Sequence, residues 1–167
     1  MTASPSFTQH RFLQMVLIGY ALIWTGTAIN PRDWLVWALE NILVVIFAGI
    51  LVATYRRLAF SNLSYLLIAL FLSLHAIGTH TGYANSPIGD WLKELFDLRR
   101  NPYDRIIHFS FGLLLAYPFR ELLVRTSNLR GWVANGSPVT LILAASVGFE
   151  VMESLVAEIV SPGTGPA

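Results

Sequence analysis

Residues Asp104 to Glu121 read DRIIHFSFGLLLAYPFRE, and this stretch decides the fold. An acid, a base and a histidine open it, a long apolar run follows, and Pro118 with Arg120 and Glu121 closes it. Asp104 and His108 are four residues apart, so on a helix they point the same way, one turn apart. A carboxylate and an imidazole at the mouth of an apolar helix predict a polar site inside a membrane bundle.

Composition agrees. Of 167 residues, 13% are charged and 54% hydrophobic, against about 25% charged in an ordinary soluble domain. Mean hydropathy is +0.57, which places the chain in the membrane class. A net charge of +1 with no basic run argues against nucleic acid as a partner. The absence of cysteine excludes disulfides, zinc–thiolate sites and iron–sulfur clusters.

Outward from the central stretch, the sequence predicts an all-α, polytopic membrane helix bundle forming a single domain over 1–167. Five transmembrane helices are expected, at 12–29, 34–55, 63–78, 106–119 and 139–160, each about the length that crosses a bilayer core. For 12–29 a cleaved signal peptide is the competing reading, but its length and its terminal Tyr20 and Trp24 favour an uncleaved helix. Asn30 to Asp33 forms a turn, and 131–138 a connector. Pro118 is expected to kink or end the fourth span, leaving Arg120 and Glu121 interfacial. Between spans three and four, Ile88, Trp91, Leu92, Leu95 and Phe96 recur at helical spacing, so 88–98 is expected as a helix on the membrane surface.

The arginines set an orientation. With the N-terminus inside, six of the eleven positive residues are inside and five outside. The inner six sit in short loops against span ends, which favours a cytoplasmic N-terminus.

Alternating the spans brings Glu40, His75, His80, Asp104, His108, Glu150 and Glu153 to one level of the bundle. An ionisable group at helix centre costs about 2.5–3.5 kcal/mol on insertion scales, so each faces a partner. Glu150 and Glu153 share a helix face and repel unless a cation, a proton or an arginine intervenes. His75, His80, Asp104, His108, Glu150 and Glu153 together are a ligand set for a divalent metal such as zinc, iron or manganese. Their spacing matches no strong metal motif, and His75 and His80 stand about 140° apart on an ideal helix. Gly78 is expected to end the third helix and let His80 fold back. His108 and Glu153 are expected to be coupled. The structural reading stands beside each: Asp104 as a first-turn acid suiting the helix dipole, His108 as a packed histidine, His80 in a solvated loop, Glu40 and Asn41 as interhelical hydrogen-bonding groups.

NPYDRIIHFSFGLLLAYPFRELLVR from 101 resembles the signature of the YjdF-like bacterial inner-membrane proteins, a family of unassigned function. The resemblance extends to WALENIL at 37–43, HAIGTHTGYA at 75–84 and GFEVMES at 148–154. It implies a multi-span protein of the bacterial inner membrane. Family members carry a further acidic segment with tryptophan and aspartates leading into another span. This sequence, ending in SPGTGPA, lacks it, so the expectation is a shortened relative or a piece of a longer chain. Asp104 to Phe109 also resembles, more weakly, the opening of a span in VanZ-type membrane proteins. Neither resemblance supplies a reaction.

Three functions remain open at this point. One is a site that binds a cation and acts on a lipid-like or envelope substrate. Another is a proton- or ion-coupled transporter using the same residues as relay stations. The third is a structural or assembly role. Beyond the lipid bilayer, no partner is indicated.

Overall fold

The computed structural model describes residues 7–127 and 129–160, and for residues 153, 156, 157, 159 and 160 the backbone alone. Among the described residues there are six α-helices and no strand: α1 (Arg11–Thr27), α2 (Trp34–Thr54), α3 (Asn62–Thr81), α4 (Pro87–Leu95), α5 (Tyr103–Ser127) and α6 (Gly131–Val160). Four of them, α2, α3, α5 and α6 as far as Met152, are long and apolar enough to cross a membrane. α1 has 17 residues, about 25 Å at 1.5 Å per residue, the lower limit for a span.

α3 lies at the centre, packed on α1 and α5, and α5 packs on α6. α2 touches the bundle only lightly, chiefly through α3 and α6. It turns Ile42, Val45 and Val52 outward, as a helix facing lipid does. Its start is fixed by Asp33, whose Oδ1 accepts from the backbone N–H of Leu35 (2.8 Å) and Val36 (3.0 Å), an N-cap that satisfies two orphan donors.

Several helix ends differ from those expected. α3 runs through Gly78 to Thr81 and stops at Gly82, whose φ of 74° turns the chain. A single glycine inside a helix costs about 1 kcal/mol and does not end it. α4 begins at Pro87, in the first turn where a missing N–H costs nothing, and ends by Phe96, one residue before Asp97 at φ 49°. It exposes Trp91, Leu95 and Phe96, the apolar side the sequence places at the membrane surface.

α5 also overruns its expected end, continuing past a buried Pro118. Tertiary bonds hold its last turns. Arg120 Nε donates to Asn135 Oδ1 of α6 at 2.8 Å. Glu121 is buried rather than interfacial. Its carboxylate accepts from the Ser61 backbone N–H and the Ser61 hydroxyl, both at 2.8 Å, and from the Ser64 hydroxyl. It also pairs with Arg125 at 2.6 Å, and Arg125 donates to the Ala59 carbonyl. A carboxylate from α5 thus caps α3. The expected connector at 131–138 is instead the start of α6, helical through a buried Pro138. The Ser137 hydroxyl donates to the Val133 carbonyl there.

Candidate functional site: a histidine-capped apolar cleft

α2 and α3 both bring polar side chains to the end of the bundle that carries α4. On α3, His75 is 3% exposed. Gly82 reverses the chain so that Tyr83 folds back over Gly78. A Cβ on Gly78 would stand 2.3 Å from the Tyr83 ring, so glycine makes the space the ring occupies. The Tyr83 hydroxyl donates to Glu40 Oε2 of α2 at 3.0 Å and stands 2.9 Å from His75 Nδ1. A phenol has one proton to give. With that proton on an ionised Glu40 carboxylate, the phenol oxygen accepts from His75 Nδ1–H. Nε2 then carries the lone pair. It is buried and has no hydrogen-bond partner among the described residues.

His75 lines a cavity of about 480 Å³ bounded by α2, α3, α5 and α6. His75 and His108 stand at one end, and Ile50, Leu115 and Phe119 at the other. From His108 to Phe119 along α5 is roughly 16 Å at the helical rise. Apart from the two histidines, Ser146 and Met152, the lining is aliphatic, aromatic or glycine. Phe149 of α6 stands between the histidines, edge-on to His75 (6.0 Å between centroids) and to His108 (5.9 Å). Phe71 stacks on His75 from the other side.

His108 Nε2 lies 3.6 Å from Asp104 Oδ1 and 3.4 Å from Glu150 Oε1, within ion-pair range of both. The carboxylates are about half exposed, 49% and 63%, and His108 is 26% exposed. Salt-bridge strength is modest at such exposure, so this group orients the imidazole more than it stabilises the fold.

The expected site residues therefore divide. His75 joins Glu40 and Tyr83; His108 joins Asp104 and Glu150. His80 takes another course, its Nδ1 2.9 Å from the Thr27 carbonyl of α1, while its own carbonyl accepts from the Arg32 N–H. It ties α1 to α3. The side chain of Glu153, and with it the expected coupling to His108, lies outside the described residues. Among the described residues, no group of three or more acidic, imidazole or thiol side chains gathers closely enough to hold a metal ion. Asn41 serves as an interhelical bond, its Oδ1 accepting from Trp24 Nε1 of α1 at 2.6 Å.

Comparison with known proteins settles the relationship. The family model described as "Predicted membrane protein (DUF2238)" matches residues 12–166. This chain belongs to the DUF2238 family. One relative, the inner membrane protein YjdF of Escherichia coli, is 37% identical over 153 residues, covering 91% of this chain and 71% of its own length. No solved structure matches. The DUF2238 match runs through every element of the cleft, from α2 to the end of α6. The chain is thus a multi-pass membrane protein of a family without an assigned activity, related to one of the bacterial inner membrane.

Proposed function

We propose that this DUF2238 protein binds a lipid-like molecule in the cleft, chain inward and polar end at His75. The observation that carries this is the buried, unpartnered Nε2 of His75, a residue that lines an otherwise apolar cavity. A buried polar atom left unmatched costs about 1–3 kcal/mol, and a ligand hydroxyl or amine donating to Nε2 recovers it. Glu40 and Tyr83 hold the imidazole in the tautomer that accepts, so Nε2 is also placed to take a proton as a general base. Asp104, His108 and Glu150 form the polar rim around the ligand's outer end. A zinc, iron or manganese ion would compete for an imidazole lone pair, so bound metal is an arm of the test, not its leading reading.

The experiment is solvent extraction of gently purified protein, with mass spectrometry of the extract and elemental analysis of the same sample. Wild type should carry a stoichiometric amphipathic molecule. Ala145→Phe, which fills the cleft, should lose it while remaining folded. Wild type without such a molecule, or Ala145→Phe with the same load, defeats the reading. Stoichiometric metal without lipid hands the site to the metal arm.

A second reading has an observation of its own. The bonded series His75–Tyr83–Glu40 crosses between helices inside the bundle, as a proton relay does. A pH gradient driving flux in liposomes, abolished in Tyr83→Phe, would favour a proton-coupled transporter.

The topology completes the proposal. We read α1 as a fifth span and the N-terminus as cytoplasmic. Arg56, Arg57, Arg120 and Arg125 beside the span ends then face the cytoplasm.

A further inference from the structure

Leu98, Arg99, Arg100 and Arg105 line a second cavity, about 270 Å³, on the connection from α4 into α5. All three arginines are exposed, and none has a hydrogen bond or ion pair among the described residues. Net charge does not explain the gathering. Residues 88–105 hold Asp90, Glu94, Asp97 and Asp104 against Lys93, Arg99, Arg100 and Arg105, four against four. The positive groups are segregated instead. Asp90 accepts from Asn101 Nδ2 at 2.9 Å and Asp104 is drawn toward His108. The pocket wall itself contains no carboxylate.

Its position decides what such a pocket meets. Immediately before it, α4 leaves Trp91, Leu95 and Phe96 unpartnered, at 60%, 58% and 65% exposure. Immediately after it begins α5, long and apolar enough to cross a membrane. An amphipathic helix with that face lies at the boundary of headgroups and acyl chains, so the arginines sit at headgroup level. The loop is built to hold this arrangement. Asn101 donates to the Ser86 carbonyl and accepts from the Tyr103 N–H, and it packs where a Cβ on Gly89 would overlap it at 1.7 Å.

We propose that Arg99, Arg100 and Arg105 bind the phosphate of an anionic phospholipid headgroup while the apolar face of α4 rests on its acyl chains. Guanidinium groups present paired donors that match phosphate oxygens. A phospholipid supplies phosphate and apolar surface together, which free phosphate does not. The site is separate from the cleft and does not depend on how the cleft is occupied.

The test uses the full chain in a neutral detergent, with native mass spectrometry counting retained lipid after addition of phosphatidylglycerol, phosphatidylcholine or inorganic phosphate. Wild type should retain phosphatidylglycerol several-fold more than phosphatidylcholine, less so as salt is raised. R99Q/R100Q/R105Q should fall to the phosphatidylcholine level, and R99K/R100K/R105K should retain more than the glutamine variant. Ala145→Phe, which blocks the cleft, should leave the preference for phosphatidylglycerol over phosphatidylcholine unchanged. Three results overturn the proposal: equal retention of the two lipids by wild type, undiminished phosphatidylglycerol in the glutamine variant, or displacement of phosphatidylglycerol by inorganic phosphate alone. If the triple variant is not recovered folded, R100Q alone is read by the same criteria.

Discussion

Tyr83 holds the site together, and it is the residue the sequence hides best. Histidines and carboxylates in apolar runs stand out because the membrane penalises them, so His75, Asp104, His108 and Glu150 are legible. A tyrosine after a glycine in a polar segment is not. The signal was the spacing Gly78 to Gly82-Tyr83, one glycine to turn the chain and one to receive the ring. Tyr83→Phe should strand the Glu40 carboxylate and His75 Nδ1–H, lowering stability by about 1–3 kcal/mol in thermal unfolding in a fixed detergent. Wild-type stability in that variant would mean the hydroxyl bridges nothing. Gly78→Ala should cost about 1–3 kcal/mol by overpacking, yet cost almost nothing further in a Tyr83→Ala background, where the ring is gone. Equal penalties in both backgrounds would show that Gly78 serves the helix alone.

Among the elements, the apolar runs foretold all the long helices, and the amphipathic spacing of Trp91, Leu92 and Leu95 foretold α4. Helix ends were misjudged where prolines were taken as punctuation. Pro118 and Pro138 lie within helices because the following turns are anchored elsewhere, and sequence spacing does not show such anchors. Glu121 is the clearest case: read along the chain it is an interfacial charge, while in the fold it caps α3 across 60 residues. Glu121→Ala should therefore destabilise the protein by about 1–3 kcal/mol and speed amide hydrogen exchange in the first turn of α3. Unchanged protection at Ser61 to Tyr65 would show that the cap contributes nothing.

Across the whole molecule, the tightly packed elements are α1, α3, α5 and α6, with α2 leaning on them and the cleft between. That arrangement suits a ligand entering from the bilayer, because a lightly held helix costs least to displace. The chain has no cysteine, so single cysteines at positions 57 and 90 report topology without background. Position 57 should label from the cytoplasmic side and position 90 from the opposite one; the reverse pattern inverts the molecule. The central claim is directional and is tested most directly by lipid photolabelling in native-lipid nanodiscs. Two probes are used, one with its diazirine next to the headgroup and one with it at the chain terminus. The headgroup probe should mark residues around His75, His108 and Phe149, and the terminal probe those around Ile50, Leu115 and Phe119. Labelling confined to the outward residues of α2, or the two probes exchanging places, would contradict a lipid held in the cleft with its polar end on His75.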